Sequence, residues 1–309
     1  MKVFLLTAGL GTRLKPIICM VVIDYLIKGH CEAIICGTLI QSYFGDRDLL
    51  NQLMNNSKFD AVIHFAASAS VPDSVLHPAK YYRNNMANMQ TLLDACIGHE
   101  IKYFVFSSSA AIFENPQFLS INENHPQSPI NPYGTTKLIG EKLLADYEQA
   151  YGLKYCAFYY FSAAGSSKDG KFGKAHHPET HLIPVIIQAA LSGNSFNVFG
   201  ADYDTRGASC IHDFIHVLDL AEAHYLGLQH IIDNNCSDVF NLGSNDAFTV
   251  LEMIHALQDV TRTPVPYRIT GRREGNPIII VASNEKAQDI LSWKPKYSKI
   301  ENILVDAWK

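Results

Sequence analysis

Ala61-Val62-Ile63-His64-Phe65 is a short run of nearly unbroken apolar character, entered through Phe59-Asp60 and left through Ala66-Ala67. A run this brief and rich in bulky apolar residues, with small or polar residues at its ends, reads as a strand covered on both faces. Similar runs recur at Val3 to Leu6, Ala33 to Ile35, Tyr103 to Ser107 and Cys156 to Phe161. Helical stretches near Asp48 to Asn55, Ala79 to Gly98 and Gly134 to Tyr151 lie between them. Strand–helix alternation with apolar strands gives an α/β fold, a doubly wound parallel sheet with helices on both faces. Cofactors in such sheets bind at the C-terminal strand ends, where the strand order reverses.

After Gly165 the texture changes. Ser166 to Thr180 is polar, Gly-containing and aperiodic, so it reads as a loop. Beyond it, Leu182 to Ser192, Val217 to Ile232 and Thr249 to Val260 read as helices. Ser195 to Phe199 and Val239 to Leu242 read as strands, and Pro264 and Pro266 bound a short extended piece. The expected organisation is residues 1–165 as the parallel sheet with its helices and residues 166–309 as a smaller α/β region. Segments after Ile211 return to the first sheet.

The 309 residues suffice for one large domain or two moderate ones. Hydrophobic residues make up 48% and charged residues 18%, an ordinary globular balance. A net charge of -5 gives no electrostatic reason to expect nucleic acid or an anionic membrane. No apolar run reaches the ~18 residues of a membrane helix; Ile17 to Ile27 is interrupted by Asp24. MKVFLLTAG lacks the long apolar core of a signal peptide. Seven scattered Cys suit a reducing, cytoplasmic setting.

Tyr133-Gly134-Thr135-Thr136-Lys137 carries chemistry. Positions i and i+4 share a helix face. An ammonium near a phenol favours phenolate, which makes Tyr133 a usable proton acceptor and donor. Of the 15 Tyr, only Tyr133 has a Lys four residues on. The plainer reading of such a pair is a solvated helix face. Upstream, Phe106-Ser107-Ser108-Ser109-Ala110 ends a strand, and a Ser there can hydrogen-bond a substrate hydroxyl. Ser, Tyr and Lys in this order, across consecutive strand–helix units, are far more specific than either piece.

With these motifs the chain resembles the extended short-chain dehydrogenase/reductase family, among its NAD-dependent epimerases and dehydratases. The resemblance rests on Phe59 to Ala67, Pro78 to Asn85, Phe106 to Ser109 and Asn131-Pro132-Tyr133-Gly134. It continues through Tyr160 to Gly165, Asp213 to Leu220 and Arg272-Arg273-Glu274-Gly275. It implies a Rossmann-like sheet with a C-terminal substrate-binding region, a bound NAD, and epimerisation at C4 of a UDP-hexose through a 4-keto sugar. Tyr133 would move the 4-hydroxyl proton, Lys137 would hold the nicotinamide ribose, and Ser109 would orient the 4-oxygen. Asp46, Phe65, Ala66, Ala67, Asn84, Ser107 and Tyr160 match cofactor positions. Phe161, Ser162, His181, Leu182, His212 and Arg273 match positions around the UDP-sugar, with Arg273 on the diphosphate. The family also implies a homodimer, formed by a helix bundle that includes Ala79 to Gly98 and Gly134 to Tyr151.

Departures from the family pattern are equally specific. Thr7-Ala8-Gly9-Leu10-Gly11-Thr12-Arg13 lacks a third glycine, and Lys15-Pro16 opposes an immediate helix. With Ala33 to Ile35 as the second strand, the acid that binds the adenine ribose is absent, and the second and third strands lie close together. Lys2 to Pro16 instead resembles the opening of a sugar-phosphate nucleotidyltransferase, and residues 19–27 resemble shortened pieces of its next segment. About 28 residues so matched cannot form that domain, and they read as replacing the first βαβ unit. Ser162, His181, His212 and Asn276 stand where Asn, Asn, Arg and Asp are usual. A protonated His212 would still bind phosphate.

Two other readings stand beside the epimerase. A dehydratase of the same family carries Thr-Asp or Thr-Glu where this chain has Ser108-Ser109-Ala110, and the degenerate glycine loop is consistent with an impaired nucleotide-sugar-binding protein. His176, His177, His181, His212 and His216 are scattered, and no metal site is expected from them.

Overall fold

The computed structural model describes residues 2–6, 19–26, 30–31, 34, 37–113, 116–174, 179–272 and 278–309. In chain order the elements are β1 (Lys2–Leu6), β2 (Cys19–Asp24), β3 (Thr38–Gln41), α1 (Arg47–Asn56), β4 (Ala61–His64), α2 (Val71–Leu76), α3 (Pro78–Tyr81), α4 (Asn88–Gly98) and β5 (Tyr103–Ser109). Then come α5 (Pro132–Tyr151), β6 (Lys154–Tyr160), β7 (Ser162–Ala164), α6 (Leu182–Ser192), β8 (Phe196–Phe199), β9 (Ile211–His216) and α7 (Val217–Asn234). The chain ends with β10 (Asp238–Leu242), β11 (Ala247–Thr249), α8 (Val250–Thr261), β12 (Tyr267–Thr270), β13 (Ile279–Ile280), α9 (Glu285–Leu291) and α10 (Ile300–Trp308).

These elements form two compact units. The first holds residues 1–114, 126–159 and 221–240, and the second holds 115–125, 160–220 and 241–309. In the first, the sheet order is β10-β6-β5-β4-β1-β2-β3. The pairings of β1 with β2, β1 with β4, β2 with β3, and β4 with β5 are all parallel. The order runs β1-β2-β3 one way and β4-β5-β6 the other, so it reverses between β1 and β4. That is the switch point of a doubly wound, Rossmann-like sheet. Phe4, Ile23, Val62 and Phe104 from the strands pack with Leu50, Met89, Leu92 and Leu144 from α1, α4 and α5. All four residues of β4 are buried, as its apolar run requires.

The second strand differs from the sequence reading. It is Cys19–Asp24, paired with β1 from Lys2↔Cys19 to Leu6↔Ile23, and its other edge pairs with β3. Ala33 and Ile35 lie outside the described residues, and Ile34 is not in a strand. Both strands of the first βαβ unit are therefore present, and residues 7–18 between them lie outside the described residues. A further strand, β3, precedes Ala61, so the run from Ala61 is the fourth strand in chain order rather than the third. The stretch Ala79 to Gly98 is also not one regular helix. A π-helical turn, Tyr82–Ala87, separates α3 from α4, and such turns concentrate at functional sites.

In the second unit β9 lies between β11 and β13, and β7 pairs with β9. Its core packs Ile183 and Ile186 of α6 with Met253, Ile254 and Leu257 of α8 and Ile300, Ile303 and Leu304 of α10. Helix α8 opens with a reciprocal capping box. Thr249 accepts from the Glu252 backbone N–H, and Glu252 accepts from that of Thr249. Among the described residues, no helix is long and apolar enough to cross a membrane.

Candidate active site

Helix α5 starts where Asn131-Pro132 says it should. The Asn131 side chain accepts from the Gly134 backbone N–H at 2.9 Å, and Pro132 takes the first turn, where a missing N–H costs nothing. A Cβ at Gly134 would lie 2.4 Å from the Ala111 carbonyl oxygen, so glycine is what lets this turn meet the 3-10 turn Ala110–Phe113. Tyr133 and Lys137 follow on one face, with the Lys137 Nζ 5.9 Å from the centre of the Tyr133 ring. Thr136, between them, donates to the Tyr133 carbonyl at 2.8 Å.

Lys137 is 3% exposed, and its Nζ donates to the Ser107 carbonyl at 2.5 Å. Burial pushes the amine down to about 7, while the Glu141 carboxyl opposes that shift. An ammonium this close to losing its proton responds to small changes around it. Strand β5 ends in Ser107-Ser108-Ser109. Ser109 Oγ accepts from the Ala111 backbone N–H at 3.2 Å. Ala111 in turn packs on Gly134, so Ser109 and Tyr133 are brought to the same corner of the sheet.

The cofactor positions read from the sequence fall around the same strand ends. Phe65 and Ala66 follow β4 directly. The Phe65 ring lies 4.7 Å from His224, and Ala66 is buried. Ala67, half-buried, leads into Ser68, whose Oγ accepts from Asn84 Nδ2 at 3.3 Å. Neighbouring Asn85 is buried and fastens this loop. It accepts from the Ser68 N–H at 2.9 Å and donates to the Ser68 carbonyl and to Thr136 Oγ1, both at 3.0 Å. The π-turn therefore ties the loop after β4 to α5. Asp46 caps α1 by accepting from the Leu49 N–H at 3.1 Å.

One residue was missed. The acid thought absent is Asp24, the last residue of β2. It is 6% exposed, and its Oδ1 accepts from the Leu26 N–H at 2.7 Å. An acid at this strand end is the usual partner of the adenine ribose hydroxyls. The signal was present in Val21-Val22-Ile23-Asp24, an apolar run ending in a carboxylate. A dinucleotide thus fits what is described. The sheet has its switch point, the second strand ends in an acid, and a buried amine stands beside a phenol. The glycine loop itself, Thr7 to Pro16, lies outside the described residues.

The UDP-sugar positions belong to the second unit. Phe161 joins β6 to β7, and Ser162 pairs with Phe214; Tyr160 ends β6. His181 precedes α6 and meets Glu179 Oε1 at 2.8 Å, and Leu182 opens the helix. His212 lies on β9 opposite Phe248. Burial lowers it to about 4, so it is neutral near pH 7. It offers phosphate a hydrogen bond but not the cation expected of a protonated His. Arg273, Asn276, His176 and His177 lie outside the described residues. Among the described residues, no three His, Cys, Asp or Glu side chains form a group able to hold a metal.

Comparison with known proteins agrees with this geometry. Residues 18–243 match the NAD dependent epimerase/dehydratase family. A UDP-glucose 4-epimerase of Lactobacillus helveticus is 44% identical over 294 residues, covering 94% of this chain and 88% of the relative. One from Halalkalibacterium halodurans is 43% identical, covering 94% and 87%. The structure of UDP-glucose 4-epimerase from Brucella ovis in complex with NAD superposes with a TM-score of 0.96 at 40% identity, over 99% of this chain and 97% of that one. The Stenotrophomonas maltophila enzyme, with bound NAD and formylated UDP-arabinopyranose, gives 0.95 at 31% identity, over 100% and 97%.

Proposed function

This chain belongs to the NAD dependent epimerase/dehydratase family, and from that footing we propose how its residues divide the work. It is an isomerase that epimerises C4 of a UDP-hexose, interconverting UDP-glucose and UDP-galactose through a 4-keto sugar. NAD, when bound, supplies the acceptor and later the donor of the C4 hydride.

Tyr133 takes the 4-hydroxyl proton as the hydroxyl becomes a ketone, and returns it when the sugar is reduced on its other face. Lys137 holds the nicotinamide ribose, and its charge favours phenolate on Tyr133. Ser109 orients the 4-oxygen by a hydrogen bond. Asp24 accepts from the adenine ribose hydroxyls. Asp46, Phe65, Ala66, Ala67, Asn84, Ser107 and Tyr160 line the cofactor. Phe161, Ser162, His181, Leu182 and His212 bind the UDP-sugar, and Arg273 grips the diphosphate with a bidentate guanidinium. The first unit so serves mainly the cofactor and the second mainly the substrate.

The observation that carries this reading is the Tyr133–Lys137 pair, with the amine buried and bound to a strand carbonyl. Purified protein should retain NAD, or gain activity when NAD is supplied, and convert UDP-glucose to UDP-galactose. Tyr133→Phe should lower kcat by at least ~100-fold, the scale of general acid–base catalysis, with an unchanged melting temperature. Folded protein that neither binds NAD nor epimerises would overturn the reading.

Two copies pair through the helical layer of Ala79 to Gly98 and Gly134 to Tyr151, where Tyr82 and Tyr151 are exposed in the single chain. Sedimentation equilibrium showing a monomer at micromolar concentration would remove that assignment. Among the described residues, Cys31, Cys96, Cys156, Cys210 and Cys236 are not in disulfides, which fits work in the reducing cytoplasm.

A further inference from the structure

Glu141 lies one turn beyond Lys137 on α5, so Tyr133, Lys137 and Glu141 follow at i, i+4 and i+8. It is 8% exposed. Ser108 Oγ donates to its Oε1, and Tyr159 Oη donates to its Oε2 at 2.8 Å. Gln127 Nε2 donates in turn to Tyr159 Oη at 3.3 Å. The amine of Lys137 reaches the preceding residue of the same strand, donating to the Ser107 carbonyl. Ser107 and Ser108 are therefore both pinned to α5, each by a different charged side chain, and Ser109 is the next residue.

A buried carboxyl is an expensive way to hold a serine. Well-packed apolar residues usually stabilise such a place as well or better. What only a carboxylate supplies is negative charge beside the buried amine. Among the described residues, titratable groups facing the pair include His64 on β4, Tyr133 on α5, and Tyr155 and Tyr159 on β6. None of these is a carboxyl.

We propose that Glu141 is a positioning residue of the epimerase, keeping Lys137 in its ammonium form and fixing Ser109 through Ser108. This rests on the reading of Tyr133 and Lys137 as the proton-handling pair. The electrostatics run the same way. Burial lowers Lys137 and the Glu141 charge opposes it. Burial also raises Glu141 to about 7, against the bonds from Ser108 and Tyr159 and the Lys137 charge. Each hydrogen bond to the carboxylate thus helps keep the proton on Lys137.

The test is the titration of Lys137 itself, followed by its Cε chemical shift in full-length protein carrying ¹³C-labelled lysine, with Lys137→Arg giving the assignment. Glu141→Gln, nearly isosteric, should lower the midpoint by about one pH unit, the scale of a close charge. Tyr159→Phe keeps the ring but removes one donor to the carboxylate, and should lower it by less. In the epimerase assay the alkaline limb of kcat should fall with the Lys137 midpoint in Glu141→Gln, while KM for UDP-glucose stays within about twofold. A Lys137 midpoint unmoved in both folded variants overturns the proposal. A shifted midpoint in a protein that never epimerises supports the Glu141–Lys137 coupling and removes the catalytic reading instead.

Discussion

His64 ends β4 inside the core, ringed by Phe44, Phe104 and Phe106, and its Nδ1 has no hydrogen-bond partner among the described residues. Burial, with the nearby Lys137 charge adding to it, lowers the imidazole from 6.5 to about 3. The folded protein therefore keeps it neutral where the unfolded chain protonates it. Stability linked to His64 is intact above about pH 6.5 and is lost as pH falls toward 3. His64→Leu removes that linkage. Relative to the parent, the variant should gain about 2 kcal/mol at pH 5 beyond its effect at pH 8. Urea unfolding at the two pH values measures this, and an equal effect at both would refute a buried neutral imidazole. Sequence alone pointed to Tyr133, Lys137 and Ser109 because their signal is local, a helical spacing and a strand end. It did not point to Asn85 or Glu141, whose partners Thr136 and Ser108 lie 51 and 33 residues away in the chain. Nothing in the neighbourhood of those residues encodes such contacts.

Among the elements, α5 is the most legible. Asn131-Pro132 opens it, and Gly152, with φ of 74°, closes it in the left-handed region that glycine adopts without strain. Strand β2 was the least legible. Its Asp24 interrupts the apolar run, and Ala33 to Ile35 offered a rival of similar texture. The acid is tolerated because it stands at the strand's last position, where it caps the Leu26 N–H. A propensity reading cannot see that, since it depends on where β1 and β3 set the strand's end. The tight seat of α5 makes its own prediction. In Gly134→Ala the new Cβ meets backbone, the Ala111 carbonyl, at 2.4 Å, so the first turn of α5 must shift. Destabilisation of about 1–3 kcal/mol is expected from such overpacking. Because Tyr133 rides on that turn, kcat should fall about tenfold or more while bound NAD is retained. Unchanged kcat would show that this contact does not set the place of Tyr133.

At the scale of the whole molecule, the reversal of strand order between β1 and β4 decides where a dinucleotide sits, and Asp24 is the chain's acid at the end of β2. With Ala33 to Ile35 as the second strand that acid is missing, and residues 1–28 read as a replacement of the first βαβ unit. With β2 at Cys19–Asp24, both strands of that unit pair in register and the acid stands at the end of the second. Binding by this site acts on the global folding equilibrium, since a ligand held by the folded state alone stabilises it by RT ln(1 + [L]/Kd), about 2.7 kcal/mol at 100 times Kd. Asp24→Asn keeps an oxygen for the Leu26 N–H but removes the charge that ribose hydroxyls donate to. A charge-assisted bond is about twice as strong as a neutral one. Affinity for NAD should drop about tenfold, which removes about 1.4 kcal/mol of that stabilisation. The NAD-induced rise in melting temperature should then shrink by about 2 °C. The same loss should appear with ADP-ribose and not with nicotinamide mononucleotide, which lacks the adenine ribose. An undiminished rise with ADP-ribose would place the adenine ribose elsewhere and leave Asp24 a cap for the loop after β2.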